Sequence, residues 1–299
     1  MSVAVASDGS ALHHRGRYPH PASVRPLLRD YAAMVHTLTG LRALPLPVHA
    51  DDSGQLAARL RELSDDIGAI YLTHTDPARA RAAQQAVHDA GGPVVVTEQD
   101  TTAVTLTAVL LTVLARVDRA PRTSQVVIAG AQTMPALPDL LMAAGIGDII
   151  SWNPADRTGF PLPIVTRDAD AIIDLLGGAT DIARAAADRP QLAVIAPDEP
   201  DDHLLAVPGL LRALTESAHP VLTIEVLHGC ARAITAATPP ARLLPELTDA
   251  DLAGAVADAA VRELDHPTWH RSVHRGRRRL DHARAHESRQ AGGDRPLAP

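Results

Sequence analysis

The sequence predicts an α/β protein with two parallel-sheet α/β domains, the second a Rossmann-like nucleotide-binding fold. Three observations carry that prediction. Short apolar runs alternate with helical patterns along most of the 299 residues, as they do in parallel βαβ architecture. Hydrophobic residues make up 46% of the chain but aromatics only 2%, so one large core or two ordinary ones must be built from Leu, Val, Ile and Ala. Residues 125–153, QVVIAGAQTMPALPDLLMAAGIGDIISWN, read as strand, turn, helix and second strand in the layout of a dinucleotide-binding unit.

In the first half, strands are expected at Val3–Ala6, Ala43–Val48, Ile67–Leu72 and Pro93–Val96. Leu56, Leu60 and Leu63 recur at helical spacing behind Asp52 and Ser53, which supply the N-cap of an amphipathic helix. Asp76 and Pro77 open another helix as a cap and an N1 proline do, and Gly91, Gly92 and Pro93 stop it. The uncharged run Thr101–Ala115 falls short of the roughly 20 residues a bilayer requires, and its threonines fit a buried helix better. Charge and Pro121 interrupt the apolar pattern within Arg116–Thr123, which places a boundary there. Strands then follow near Val126–Ala129, Asp148–Ser151, Leu192–Ala196 and Val221–Val226. The expected organisation is therefore an α/β domain at 1–118, a Rossmann-like domain at 119–264 and a basic, His- and Arg-rich tail at 265–299.

That tail holds eight arginines against four acids, so the body of the protein is more acidic than the overall charge of −7, and nucleic acid is not an expected partner. His266, His270 and His274 share a helical spacing that His282 and His286 repeat; such pairs can chelate zinc or nickel, although a solvated tail is the expected state. All 28 basic residues are arginine, which excludes a P-loop lysine, a pyridoxal Schiff base and any lysine base. The single Cys230 cannot form an intrachain disulfide, and residues 1–10 lack the basic start and apolar stretch of a signal peptide. A cytoplasmic location without membrane association is expected.

The phosphate-binding chemistry of the dinucleotide unit is depleted. Of the glycines in G-x-G-x-x-G only Gly130 is present. Gln132 takes the second slot, where the backbone must approach the pyrophosphate, and Pro135 the third, where it removes an N–H. Asn153, the only asparagine, ends the second strand where an acid for the ribose hydroxyls is common; a structural Asn-Pro turn is the alternative. Gly130, Gln132 and Asn153 are the candidate cofactor-binding residues. Near the N-terminus, His13, His14, Arg15 and Arg17 gather in a loop after a strand, where cationic donors can grip a carboxylate or phosphate or simply be exposed.

Taken in order, VAVASDGSAL from Val3, the stretch from Pro26 to Leu41, PVVVTEQDTTAV from Pro93 and the segment from Gly130 to Ile150 resemble the malic enzyme family, the NAD(P)-dependent oxidative decarboxylases of malate. The resemblance covers residues 3–153 and is weaker beyond, at LHGCARAI from Leu227 and LTDADL from Leu247. It implies that Tyr31, with Asp30 beside it, occupies the position of the family's lysine base; the family's tyrosine acid lies upstream of where the sequence begins. It further implies that Thr73 and His74 replace the Glu-Asp metal pair and that Glu98 replaces a later metal aspartate, with Asp76 nearby. Magnesium and manganese prefer carboxylate oxygens, so the set His74 and Glu98 suits zinc or iron better, and loss of the metal is expected.

These substitutions lead to the expectation of a malic-enzyme-like protein that has lost NAD(P)-dependent oxidative decarboxylation and serves as a binding or scaffolding partner. It would carry no cofactor, with NAD(P) and a divalent metal only if the ancestral function persists. The alternative is an active oxidoreductase or decarboxylase working on a small carboxylic acid in a remodelled cleft through Tyr31, Asp30, His74 and Glu98. A small carboxylic acid ligand, a protein partner and homo-oligomerisation are the expected associations.

Overall fold

The computed structural model describes residues 1–15, 24–197 and 201–265, with the side chains of residues 13–15 excepted. The His13, His14, Arg15 and Arg17 grouping and the histidine spacing of the tail therefore lie outside the described residues. Residues 1–264 form one compact unit built on two four-stranded parallel sheets.

The first sheet has the order β2-β1-β3-β4, from β1 (Ser2–Ser7), β2 (Arg42–Pro47), β3 (Ile67–Leu72) and β4 (Val94–Thr97). Every residue of β1 is buried, as a strand flanked on both edges and covered on both faces requires. Helix α1 (Arg25–Thr39) follows β1, α2 (Ser53–Arg61) follows β2 and α3 (Pro77–Asp89) follows β3. The capping expectations hold: Asp52 accepts from Gln55 N, and Asp76 accepts from Ala78 N and Arg79 N behind Pro77. Helix α4 (Glu98–Arg116) then leads towards the second sheet, buried along most of its length. Its buried threonines satisfy their hydroxyls on the preceding turn, Thr107 to Ala103 O at 2.8 Å and Thr112 to Ala108 O at 2.9 Å, which is how a polar side chain enters an apolar helix face without penalty.

The second sheet has the order β6-β5-β7-β8, from β5 (Gln125–Ala129), β6 (Asp148–Trp152), β7 (Ala171–Asp174) and β8 (Ala193–Ile195). Helices α5 (Ala136–Ala143), the short α6 (Leu162–Val165) and α7 (Thr180–Asp188) connect its strands. Three further helices, α8 (Val207–Glu216), α9 (Ile224–Ala237) and α10 (Leu252–Asp265), complete the unit. One continuous core joins residues of both sheets to α1, α4, α5, α8, α9 and α10. Where α8 crosses α10 the backbones nearly touch, since a Cβ on Gly209 would sit 2.5 Å from Ala253 O.

Two sequence expectations need correction. Val221–Val226 is not a strand: Thr223 accepts from Val226 N and starts α9, so the apolar run is the beginning of a buried helix face. Short apolar runs do not distinguish the two by periodicity. The central strand β7 was not anticipated, because its run AIID is only four residues long, follows Asp170 and itself ends on an acid. Among the described residues no helix is long and apolar enough to cross a membrane.

Candidate functional site

The C-terminal ends of β1, β3 and β4 meet beside the first turn of α4. In a parallel sheet this is where ligands bind, next to the point at which successive connections run in opposite directions, here between β1 and β3. Thr97 and Asp100 form a reciprocal capping box that fixes that turn. Glu98, the first residue of the helix, directs Oε2 back to β3, where it accepts from Thr73 Oγ1 at 2.7 Å and from His74 N at 2.8 Å.

His74 has φ +47°, a left-handed conformation that costs a non-glycine residue roughly 1–3 kcal/mol. It is held from both sides: its N–H goes to Glu98, and its carbonyl accepts from Ser7 Oγ at the end of β1 and from Ala11 N of the loop that follows. That loop is itself anchored by the Asp8 to Arg79 ion pair at 2.9 Å. The result is to swing the His74 ring onto Tyr31 of α1, with centroids 5.7 Å apart and planes 24° from parallel. Tyr31 meets His203 edge-on at 6.1 Å, and His203 in turn stacks on Tyr71 of β3 at 6.5 Å. Tyr71 and His203 are buried, while Tyr31, His74 and Glu98 are half-buried. His74 Nε2 is buried and has no hydrogen-bond partner among the described residues.

The electrostatics sort these groups. Burial would raise the Glu98 carboxyl, but nearby His203, the hydrogen bonds from His74 N and Thr73, and the His74 ring together hold it below its ordinary value. Burial, reinforced by the carboxylates of Asp201, Glu98 and Asp30, pushes the Tyr31 phenol up to about 12. Tyr71 is raised well above the usual range, chiefly by burial and then by Glu98. The cluster therefore presents one ionised acceptor, two imidazoles and two phenols that keep their protons.

The structure brings Tyr31, His74 and Glu98 together. Asp30 lies exposed on α1 and reaches Tyr31 only through its charge. Asp76 spends its carboxylate on the α3 N-terminus. Among the described residues no three His, Cys, Asp or Glu side chains are placed to share a metal ion. With Glu98 already accepting two hydrogen bonds and Asp76 turned away, the donors do not fit a hard divalent cation, which wants six or more oxygens.

The dinucleotide-type turn lies close by, since Gln99 Nε2 donates to Thr133 O at 2.6 Å. Gly130 has φ +89° and opens a short 3-10 turn at Ala131–Thr133; α5 begins only after Pro135. Over Gly130 lie Leu175 and Leu176: a Cβ built there would be 2.8 Å from Leu176 Cδ2 and 3.3 Å from Leu175 Cβ. Asp174, at the end of β7, holds this segment by accepting from Leu176 N at 2.8 Å and Gly178 N at 2.7 Å. Asn153 accepts from Gln132 N at 3.4 Å and donates its own N–H to Asp156 at 2.9 Å, so it braces the turn at the end of β6. The space in the Cβ direction of Gly130 is thus filled by Leu175 and Leu176, at the junction of β5 and β7.

Sequence reasoning missed Tyr71 and His203 in the first cluster and the Asp174–Gly178 segment in the second. The last carried a signal: an aspartate followed at once by Leu-Leu-Gly-Gly after an apolar run marks a turn closing a strand.

No protein-family model and no curated protein matches the chain. Solved structures do. The NAD-dependent malic enzyme of Thermotoga maritima superposes with a TM-score of 0.70 at 18% identity, covering 87% of this chain and 84% of that one. The malic enzyme of Pyrococcus horikoshii gives 0.73 at 17% identity over 88% and 76% of the two chains. That of Entamoeba histolytica gives 0.70 at 15% identity over 87% and 69%. The chain has a malic-enzyme-like fold.

Proposed function

We propose that this protein uses the malic-enzyme-like fold for binding, as a scaffolding partner or a holder of a small carboxylic acid, and does not carry out NAD(P)-dependent oxidative decarboxylation of malate. The observation that carries this reading is the packing of Leu175 and Leu176 on Gly130, where a doubly wound sheet would seat the diphosphate. The position resembled by the lysine base points the same way. A phenol pushed up to about 12 keeps its proton at neutral pH and can donate a hydrogen bond but not act as a base. The test is purified protein with malate, NAD or NADP, and magnesium or manganese. No reduced nicotinamide should form above background, and turnover of roughly 1 per second or faster would overturn the proposal.

A second reading is favoured by His74, whose buried, unpartnered Nε2 lies beside the protonated Tyr31. Such a pair suits cofactor-independent proton transfer to a small 2-oxo or 3-oxo acid. Oxaloacetate decarboxylation that disappears in His74→Ala would favour it; the proposal of a binding protein expects wild type and variant to match the uncatalysed rate.

A further inference from the structure

On the other side of the first turn of α4, away from Glu98, a cavity of about 420 Å³ opens along the free edge of β4, between α3 and the start of α9. Its volume falls within the roughly 300–1,000 Å³ of small-molecule sites. One end is polar and negative. Asp100, only 9% exposed, lines it, and all three donors that Asp100 receives, Thr97 N, Thr97 Oγ1 and Gln84 Nε2, fall on Oδ2 at 2.8 Å each. Oδ1 accepts from none of the described residues. Arg81 is near enough for its charge to be felt at Asp100 but makes no ion pair with it, and no lysine or arginine lines the cavity, whose single basic side chain is His88. The opposite wall is apolar, formed by Val94, Val221, Leu222, Ile224 and Leu227.

We infer that this cavity is a binding site for a small amphipathic amine, its ammonium on Asp100 Oδ1 and its apolar body against Val221, Leu222 and Ile224. A buried carboxylate with one oxygen saturated and the other lacking a donor is complementary to a cationic head, because a charge-assisted hydrogen bond there replaces water without leaving either partner unpaired. Burial also raises the Asp100 carboxyl against the pull of its hydrogen bonds, which an incoming cation would offset. The inference is independent of the reading of the Tyr31 cluster, since none of these residues belongs to it.

The test is calorimetric titration of the full chain with 2-phenylethylamine, and with 2-phenylethanol and phenylacetate as neutral and anionic analogues. The amine is expected to bind saturably, at least about tenfold more tightly than either analogue. Asp100→Asn should erase that preference. Asp100 also belongs to the α4 capping box, so Val221→Trp, at an exposed position that fills the mouth of the cavity, provides a variant with the cap intact and should weaken the amine by about tenfold or more. Absence of saturable binding, equal binding of phenylacetate, or affinity unaffected by Val221→Trp would overturn the inference.

Discussion

By the sequence resemblance Tyr31 would stand where the malic enzyme family places a lysine base, and its surroundings decide which half of acid–base chemistry is open to it. Burial and three nearby carboxylates keep the phenol protonated up to about 12, so at neutral pH it is a donor. The same shift has a consequence for stability. Because the folded value lies above the ordinary 10, the stabilisation is complete below pH 10 and is lost as pH rises from there to about 12; Tyr71 shifts in the same direction. The Tyr31→Phe variant should therefore lose less of its urea-unfolding stability than wild type when taken from neutral pH to about pH 11. Phenolate absorbance in a wild type minus Tyr31→Phe difference titration should show Tyr31 ionising near 12; an inflection at the ordinary value would contradict the electrostatic account. The resemblance singled out Tyr31, His74 and Glu98 in the sequence, and the fold brings these three together. Tyr71 and His203 were not singled out, since one lies in a strand that reads as core and the other comes to the cluster across the fold, from a distant part of the sequence.

At the scale of elements, the first turn of α4 organises the sites. Glu98 serves the tyrosine–histidine cluster, Gln99 ties the β5 turn in place and Asp100 faces the edge cavity, all from consecutive positions. The sequence disclosed this helix by its uncharged run, and the caps of α2 and α3 by Asp52 and Asp76, because these features are local. It misassigned Val221–Val226 and overlooked β7 because tertiary burial, rather than periodicity, determines what a short apolar run becomes. Gly130 tests the β5 turn. Its φ of +89° costs a residue with a Cβ about 1–2 kcal/mol, and the Cβ would also press on Leu176, so Gly130→Ala should lower the unfolding free energy by at least about that much. Adding Leu176→Ala should relieve the contact at 2.8 Å but not the backbone strain. A Gly130→Ala protein of unchanged stability would show that the turn is not held as described.

Across the whole molecule, a malic-enzyme-like fold is present at 15–18% identity to solved malic enzymes. Core patterning tolerates substitution as long as apolar residues keep their period and volume. A catalytic set tolerates almost none, because each member acts through a specific charge or proton. Fold class was therefore readable from order and pattern, whereas the packing of Leu175 and Leu176 on Gly130, from a segment about 45 residues further along the chain, is brought about only by the fold. The most direct test of the central claim is an equilibrium titration of the protein with NADH and NADPH, followed by nucleotide fluorescence. The packing on Gly130 predicts no saturation below the millimolar range. A dissociation constant of about a micromolar for either nucleotide would contradict it.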